Sequence, residues 1–360
     1  MTEAKLQSIL AGITAPDEDT MTAAKKRQAE LAKPPGSLGM LEDYAIRLAG
    51  ITGQVCPQPK RCRVIVAAAD HGIAAAGVSS APQSVTARQC INMTRRKTGM
   101  SALAACFGDD VVVCDVGVKT ELPPPVVNRK LRLGTENLLE APAMTRQEAV
   151  DAIAVGMELA QSAKRDGIDL VGIGEMGIGN TTPATLLLSA LTGEDPVCLT
   201  GRGGGLTAAA WERKKKVIAE VYRRRQPDGS DPLDVMSKVG GLELAAMTGM
   251  FLGCAAERLP AVVDGFLSIV AALCAVRLCP TVKEYLFLSH ASQESAYEAA
   301  ANALGLSPCL LLRMRLGEGS GCPLMFRILQ GACAVHKNMA TFAEAEINDD
   351  YLTPIRETME

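Results

Sequence analysis

The sequence predicts an α/β protein with a doubly wound, mostly parallel sheet and a small helical domain built from the two chain ends. Three observations predict it. From residue 46 to residue 329, β-like apolar runs alternate with helix-length stretches of Ala, Leu and Glu, the signature of right-handed crossovers. Both ends read instead as helix. The apolar runs also keep stopping at a polar, chemically able side chain. In open parallel sheets ligands sit just beyond the carboxyl ends of the strands, so such endings point to one shared cleft.

Residues 17–32 read as a helix, with Asp or Thr as a cap and Ala, Lys, Gln and Glu as formers. Pro34-Pro35-Gly36 ends it, and Ser37-Leu38-Gly39 starts the next segment. The division expected is 1–45 for the first part of the small domain, 46–329 for the large α/β domain and 330–360 for the helical remainder of the small one. Strand-like residues 62–69 meet Asp70-His71-Gly72, and residues 111–114 meet Asp115. Residues 168–173 run into Gly174-Glu175, and residues 260–263 stop at Asp264. Residues 285–288 stop at Ser289-His290, and residues 310–316 read as a last strand reaching Gly317-Glu318-Gly319.

Composition narrows the function. With 48% hydrophobic and 21% charged residues, the 360-residue chain has the balance of an ordinary globular protein. A net charge of −3 and 3% aromatics give no footprint for nucleic acid, so small-molecule substrates are expected. The lipid-like stretch 242–276 is cut by Glu257, Arg258, Pro260 and Asp264, and reads as buried helices flanking a strand. No secretory signal follows Met1, and the 12 cysteines lack any Cys-x-x-Cys pair, so a reduced cytoplasmic setting is expected. Three scattered histidines form no zinc signature, and no metal site is expected.

Two motifs carry chemistry. In Gly174-Glu175-Met176-Gly177-Ile178-Gly179-Asn180-Thr181-Thr182-Pro183, a glycine turn leads into a helix with Thr181 or Thr182 as cap and Pro183 in its first turn. Such a helix start is a ready site for phosphate or carboxylate. In Arg315-Leu316-Gly317-Glu318-Gly319-Ser320-Gly321, three glycines free the backbone to hold one glutamate over a cleft, where desolvation makes it a better general base. Two weaker signals are the loop 200–206, followed by the basic cluster Arg213-Lys214-Lys215-Lys216, and His71, which reads as a hydrogen-bonded core residue.

These motifs resemble, in order and over nearly the whole chain, the nicotinate-nucleotide:dimethylbenzimidazole phosphoribosyltransferase family of cobalamin nucleotide-loop assembly. The resemblance runs through Lys33-Pro34-Pro35-Gly36-Ser37-Leu38-Gly39, Ala69-Asp70-His71-Gly72, residues 175–182 and Lys238-Val239-Gly240-Gly241. It continues through Met247-Thr248-Gly249, Asp264-Gly265-Phe266, Ser289-His290, residues 315–321 and Asn338-Met339. It implies a Rossmann-like large domain, a homodimer, and transfer of 5-phosphoribosyl from nicotinate mononucleotide to a benzimidazole-type base without metal or cofactor. By the same resemblance Glu318 is the catalytic base and Glu175 its assistant. Ala81, Gln89 and Met176 map near the base, although the family pattern has a small hydroxyl at position 81. Lys214, Ser292 and the helix start after Thr182 map to the phosphate, with Lys215 and Lys216 as alternatives to Lys214. Gly177, Asn180, Thr181, Asp264 and Gly319 complete the implied substrate-binding set. Two rival readings stand beside this one. The first is a related transferase that activates a purine or phenolic ligand. The second is a non-catalytic nucleotide-binding paralogue, which predicts decay at the base position, whereas Glu318 stands in an intact motif.

Overall fold

The computed structural model describes residues 1–352 and 354. The chain opens with helices α1 (Glu3–Ala11), α2 (Glu18–Glu30) and α3 (Met40–Thr52). Asp17 caps α2, its carboxylate accepting the Thr20 N–H at 2.7 Å. Strand–helix alternation follows: β1 (Cys62–Ala69), α4 (Val85–Thr94), α5 (Gly99–Phe107), β2 (Asp110–Gly117), β3 (Val127–Asn128), α6 (Arg146–Arg165) and β4 (Leu170–Met176). Then come α7 (Thr181–Thr192), α8 (Ala208–Arg225), α9 (Pro232–Val239) and α10 (Leu242–Ala256). The last are β5 (Ala261–Val263), α11 (Phe266–Leu278), β6 (Leu286–Leu288), α12 (Tyr297–Leu304) and α13 (Cys322–Asn338).

The six strands form one parallel sheet in the order β3-β2-β1-β4-β5-β6. The run from β1 to β3 builds outward on one side, and the chain then returns to lay β4, β5 and β6 on the other. The switch therefore falls between β1 and β4, where Val64 pairs with Gly172 and Ala67 with Glu175. β1 and β4 are buried at every position except Arg63, as central strands covered by helices on both faces should be. α10 and α11 are buried along nearly their whole length, so the lipid-like stretch is core helix on either side of β5, as the sequence predicts. No helix among the described residues is long and apolar enough to cross a membrane.

Residues 310–316 differ from expectation. They form no strand; Leu310 makes a single parallel bridge to His290, and the sheet ends at β6. Arg313 has φ +55°, which turns the chain out of the extended region, and Leu311, Leu312 and Leu316 face outward. Beyond Leu310 the segment keeps a backbone bond from the Gln293 N–H to the Met314 carbonyl at 2.9 Å, too little for a strand.

The two chain ends meet. The Arg27 guanidinium donates to the carbonyls of His336 and Lys337, Gln28 bonds the His336 ring at 2.9 Å, and Leu31 bridges Thr341. α13 crosses residue 330 as one unbroken helix, and beyond Asn338 come the bridge at Thr341, turns and a short 3-10 helix at Asp350–Leu352.

Candidate active site

A cavity of about 280 Å³ opens at the carboxyl ends of β1 and β4, at the switch point. Glu318, Gln89, Ala81 and Met176 line it with the apolar side chains of Val85, Ile178 and Phe266. Gly177, Asn180, Thr181 and Ser292 line it too, joined by Gly203, Gly204, Glu294 and Arg315. A larger hollow of about 730 Å³ lies before the amino end of β4, where Asp169 is taken up by the Lys60 and Arg61 amides. Gln54, Lys60, Lys164, Glu257 and Arg258 line it too, but it lies at the amino ends of the strands, whereas ligands of open parallel sheets sit beyond the carboxyl ends. The smaller cavity is the candidate site.

Glu318 stands on a turn that only an unusual backbone can make. Gly317, Glu318 and Gly319 have φ of +83°, +63° and +86°. The glycines take this left-handed conformation freely, whereas a residue with a Cβ costs about 1–2 kcal/mol there. That cost is offset by anchoring: the Glu318 N–H donates to Glu175 Oε1 at 3.1 Å, and the Gly319 and Gly321 N–H groups donate to Asp264 at 3.0 and 2.6 Å. The β4 backbone passes directly beneath, and a Cβ on Gly174 would collide with the Glu318 carbonyl.

Asn92 donates to Gln89, and Gln89 donates to Glu318 Oε1 at 3.3 Å. Oε2 is buried without a hydrogen-bond partner among the described residues. Burial pushes the Glu318 carboxyl up, although Thr98 and the Met100 amide at the start of α5 pull it back, with Gln89 helping. Such a group accepts a proton readily. The Glu175 carboxyl, wholly buried, is pushed up to about 7, chiefly by desolvation. Its hydrogen bonds from the Glu318 amide and the Asn180 side chain work the other way.

The second half of the cavity is built for an anion. α7 begins at Thr181 with Asn180 as its cap residue; neither Thr181 nor Thr182 takes that place, though Pro183 does stand in the first turn. Thr182 is fully buried and its hydroxyl has no partner among the described residues. Lys214 is also buried, its Nζ donating to Thr181 Oγ1 at 2.8 Å and to the Gly201 carbonyl at 3.3 Å. Burial brings its ammonium down to about 8, with Glu294 opposing. The loop 201–205 closes this side, and Arg202 and Lys215 flank the Trp211 ring at 4.8 and 3.9 Å.

The structure thus places Glu318, Glu175, Ala81, Gln89, Met176, Gly177, Asn180, Thr181 and Ser292 on the cavity wall. Thr182, Lys214, Asp264 and Gly319 stand behind it as supports. Glu294, Arg315, Ser79, Ser80 and Leu267 are wall residues that sequence reasoning missed. Arg315 stands inside the glycine-rich motif of Glu318, and Glu294 two residues after Ser292, so position carried a signal that residue type did not. His71 is no wall residue; it is buried against Glu243 at 2.8 Å beneath the Gly177 turn, as a core histidine. Among the described residues no group of three or more His, Cys, Asp or Glu gathers as a metal site.

A switch-point cleft with a carboxylate facing an apolar slot, and a helix start backed by a buried lysine, has the layout of a transferase for an anionic small molecule. Residues 13–347 match the family model described as Phosphoribosyltransferase, which supplies the class. A nicotinate-nucleotide–dimethylbenzimidazole phosphoribosyltransferase of Clostridium perfringens is 47% identical over 98% of both chains, and that of Alkaliphilus metalliredigens is 45% identical over 95% of this chain and 99% of its own. The crystal structure of CobT from Thermus thermophilus superposes with a TM-score of 0.88 at 41% identity, covering 92% of this chain and 99% of that one. The chain belongs to the nicotinate-nucleotide–dimethylbenzimidazole phosphoribosyltransferase family.

Proposed function

We propose that this chain transfers the 5-phosphoribosyl group of nicotinate mononucleotide to 5,6-dimethylbenzimidazole or a related base. The products are nicotinate and α-ribazole 5′-phosphate, a step of cobalamin nucleotide-loop assembly. The observation that carries the mechanism is the buried Glu318 carboxylate on the wall beside Gln89, with one oxygen free of any partner among the described residues. The imine nitrogen of the azole attacks C1′ while Glu318 takes the proton from the other ring nitrogen. The C1′–pyridinium bond breaks on the opposite face, which inverts β to α. The pyridine leaves with the bonding pair, losing its positive charge, and needs no acid. Positioning and one base suffice.

Thr181, Lys214 and Ser292 hold the phosphate, with the start of α7 supplying its dipole. Met176, Ile178, Val85 and Phe266 form the apolar slot for the base, and Ala81 leaves hydrogen bonding there to Gln89. The protein works as a cytoplasmic homodimer in this reading. Supporting that are twelve free cysteines and three exposed leucines, Leu311 (82%), Leu312 (52%) and Leu316 (57%), the last of them on the cavity wall. Residues 1–45 and 330–360, of which 353 and 355–360 lie outside the described residues, form the small domain in this reading, supported by the contacts between α2 and the end of α13.

The test is a mass-spectrometric assay of the purified protein with nicotinate mononucleotide and a panel of benzimidazoles, purines and phenols. Release of nicotinate with formation of α-ribazole 5′-phosphate is expected from 5,6-dimethylbenzimidazole. A preferred purine or phenol would favour the related-transferase reading. No nicotinate release with any acceptor would overturn the enzyme.

A further inference from the structure

Asp264 follows β5 and is buried, yet contributes no atom to the cavity wall. Its own backbone is fixed, the Asp264 N–H donating to Ser268 Oγ at 3.1 Å while that hydroxyl donates to the Ile173 carbonyl on β4 at 3.0 Å. Its two carboxylate oxygens divide between the Gly319 and Gly321 amides, the residues that flank Ser320 immediately after Glu318. The His290 ring lies 3.8 Å from Oδ1 and 3.1 Å from Ser289 Oγ. A side chain on Gly321 would strike that ring, so glycine there lets imidazole, carboxylate and turn close together.

We propose that Asp264, braced by His290, is a positioning residue: it holds the left-handed 317–319 turn so that the Glu318 carboxylate stays on the cavity wall. The inference rests on the reading of Glu318 as the base. Two amides converge on one side chain, and only a carboxylate offers acceptors alone; an amide there would aim an NH₂ donor at one of the two N–H groups. In the proposed reading the phosphate end is held by α7, α8 and Ser292, and the Asp264 carboxylate spends its hydrogen bonds on the Gly319 and Gly321 amides instead. Loss of the clamp therefore misplaces the base and leaves nucleotide binding alone.

Asp264→Asn tests this. Turnover should fall about a hundredfold through misplacement of the base, while the KM for nicotinate mononucleotide stays within about twofold. Hydrogen exchange of the 315–321 segment, read by mass spectrometry, should quicken in the variant. A raised KM with unchanged kcat would make Asp264 a substrate contact, and unchanged kcat and exchange would remove it from the mechanism; either overturns the proposal. If the variant does not fold, His290→Gln takes its place, with kcat expected about tenfold lower and KM unmoved. A change in KM alone, or in neither constant, would then overturn it. An inactive wild type defeats the functional reading only, because the exchange experiment still decides whether Asp264 holds the turn.

Discussion

Glu175 Oε1 accepts the backbone N–H of Glu318 at 3.1 Å, so one buried carboxylate fixes the main chain of another. Glu175 sits on the strand at the sheet's switch point, and Glu318 belongs to a turn outside any strand. The bond ties the Glu318 turn to the sheet.

That bond sets a pH dependence. Both Glu175 oxygens act as acceptors, so protonation as pH falls through about 7 sets a donor against the Glu318 amide or the Asn180 side chain. Turnover should decline on that acid limb. Glu175→Gln should lower kcat about tenfold and erase this part of the limb. Because the folded-state pKa is raised from 4.5, the group favours folding at low pH, and this contribution is lost as pH rises to about 7. The variant should therefore gain stability relative to the wild type across that interval, measured by melts at successive pH values.

Lys214 gives a limb at the other end. Its ammonium is brought down to about 8 by burial, and in the proposed reading it attracts the phosphate only when protonated. Affinity for nicotinate mononucleotide should be level below pH 8 and weaken as pH rises past it, by calorimetric titration. Lys214→Ala should mainly raise KM and flatten this profile. An unchanged KM would transfer the role to Lys215, Lys216 or backbone amides.

Beneath the Gly177 turn, His71 and Glu243 form a buried pair at 2.8 Å. Burial works against the charge on His71, but Glu243 prevails and the net shift is upward. Removing one partner strands the other, so Glu243→Gln should cost about 3–5 kcal/mol in denaturant unfolding. A raised histidine pKa also means that the pair's contribution is full below the unfolded value and fades as pH rises through the folded one.

The outward leucines test the dimer. On the proposal that the protein is a homodimer, Leu311→Asp with Leu312→Asp should shift it to monomer in sedimentation velocity, with the fold intact by circular dichroism. An unchanged dimer would place the interface elsewhere.

Much of the site was legible in the order of the residues alone. Asp70, Glu175, Asp264 and His290 do lie at or just past strand ends, because apolar runs that stop at polar residues mark where a buried sheet meets its cleft. The glycines around Glu318 pointed to the turn, though not to the carboxylates that hold it, since Glu175 and Asp264 are 143 and 55 residues away. The run 310–316 misled because apolar residues facing solvent look in sequence like residues facing a core. The cap of α7 fell one residue early, on Asn180, within the uncertainty of any helix start. Glu243 went unseen because an acid inside an apolar helix announces no partner until the fold brings His71 against it.

The most direct test of the base is Glu318→Gln, assayed for turnover and for nicotinate mononucleotide binding in the same preparation. Loss of general-base catalysis predicts a fall in kcat of about 10²- to 10⁴-fold with the nucleotide still bound at near wild-type affinity. Turnover close to that of the wild type would contradict the account.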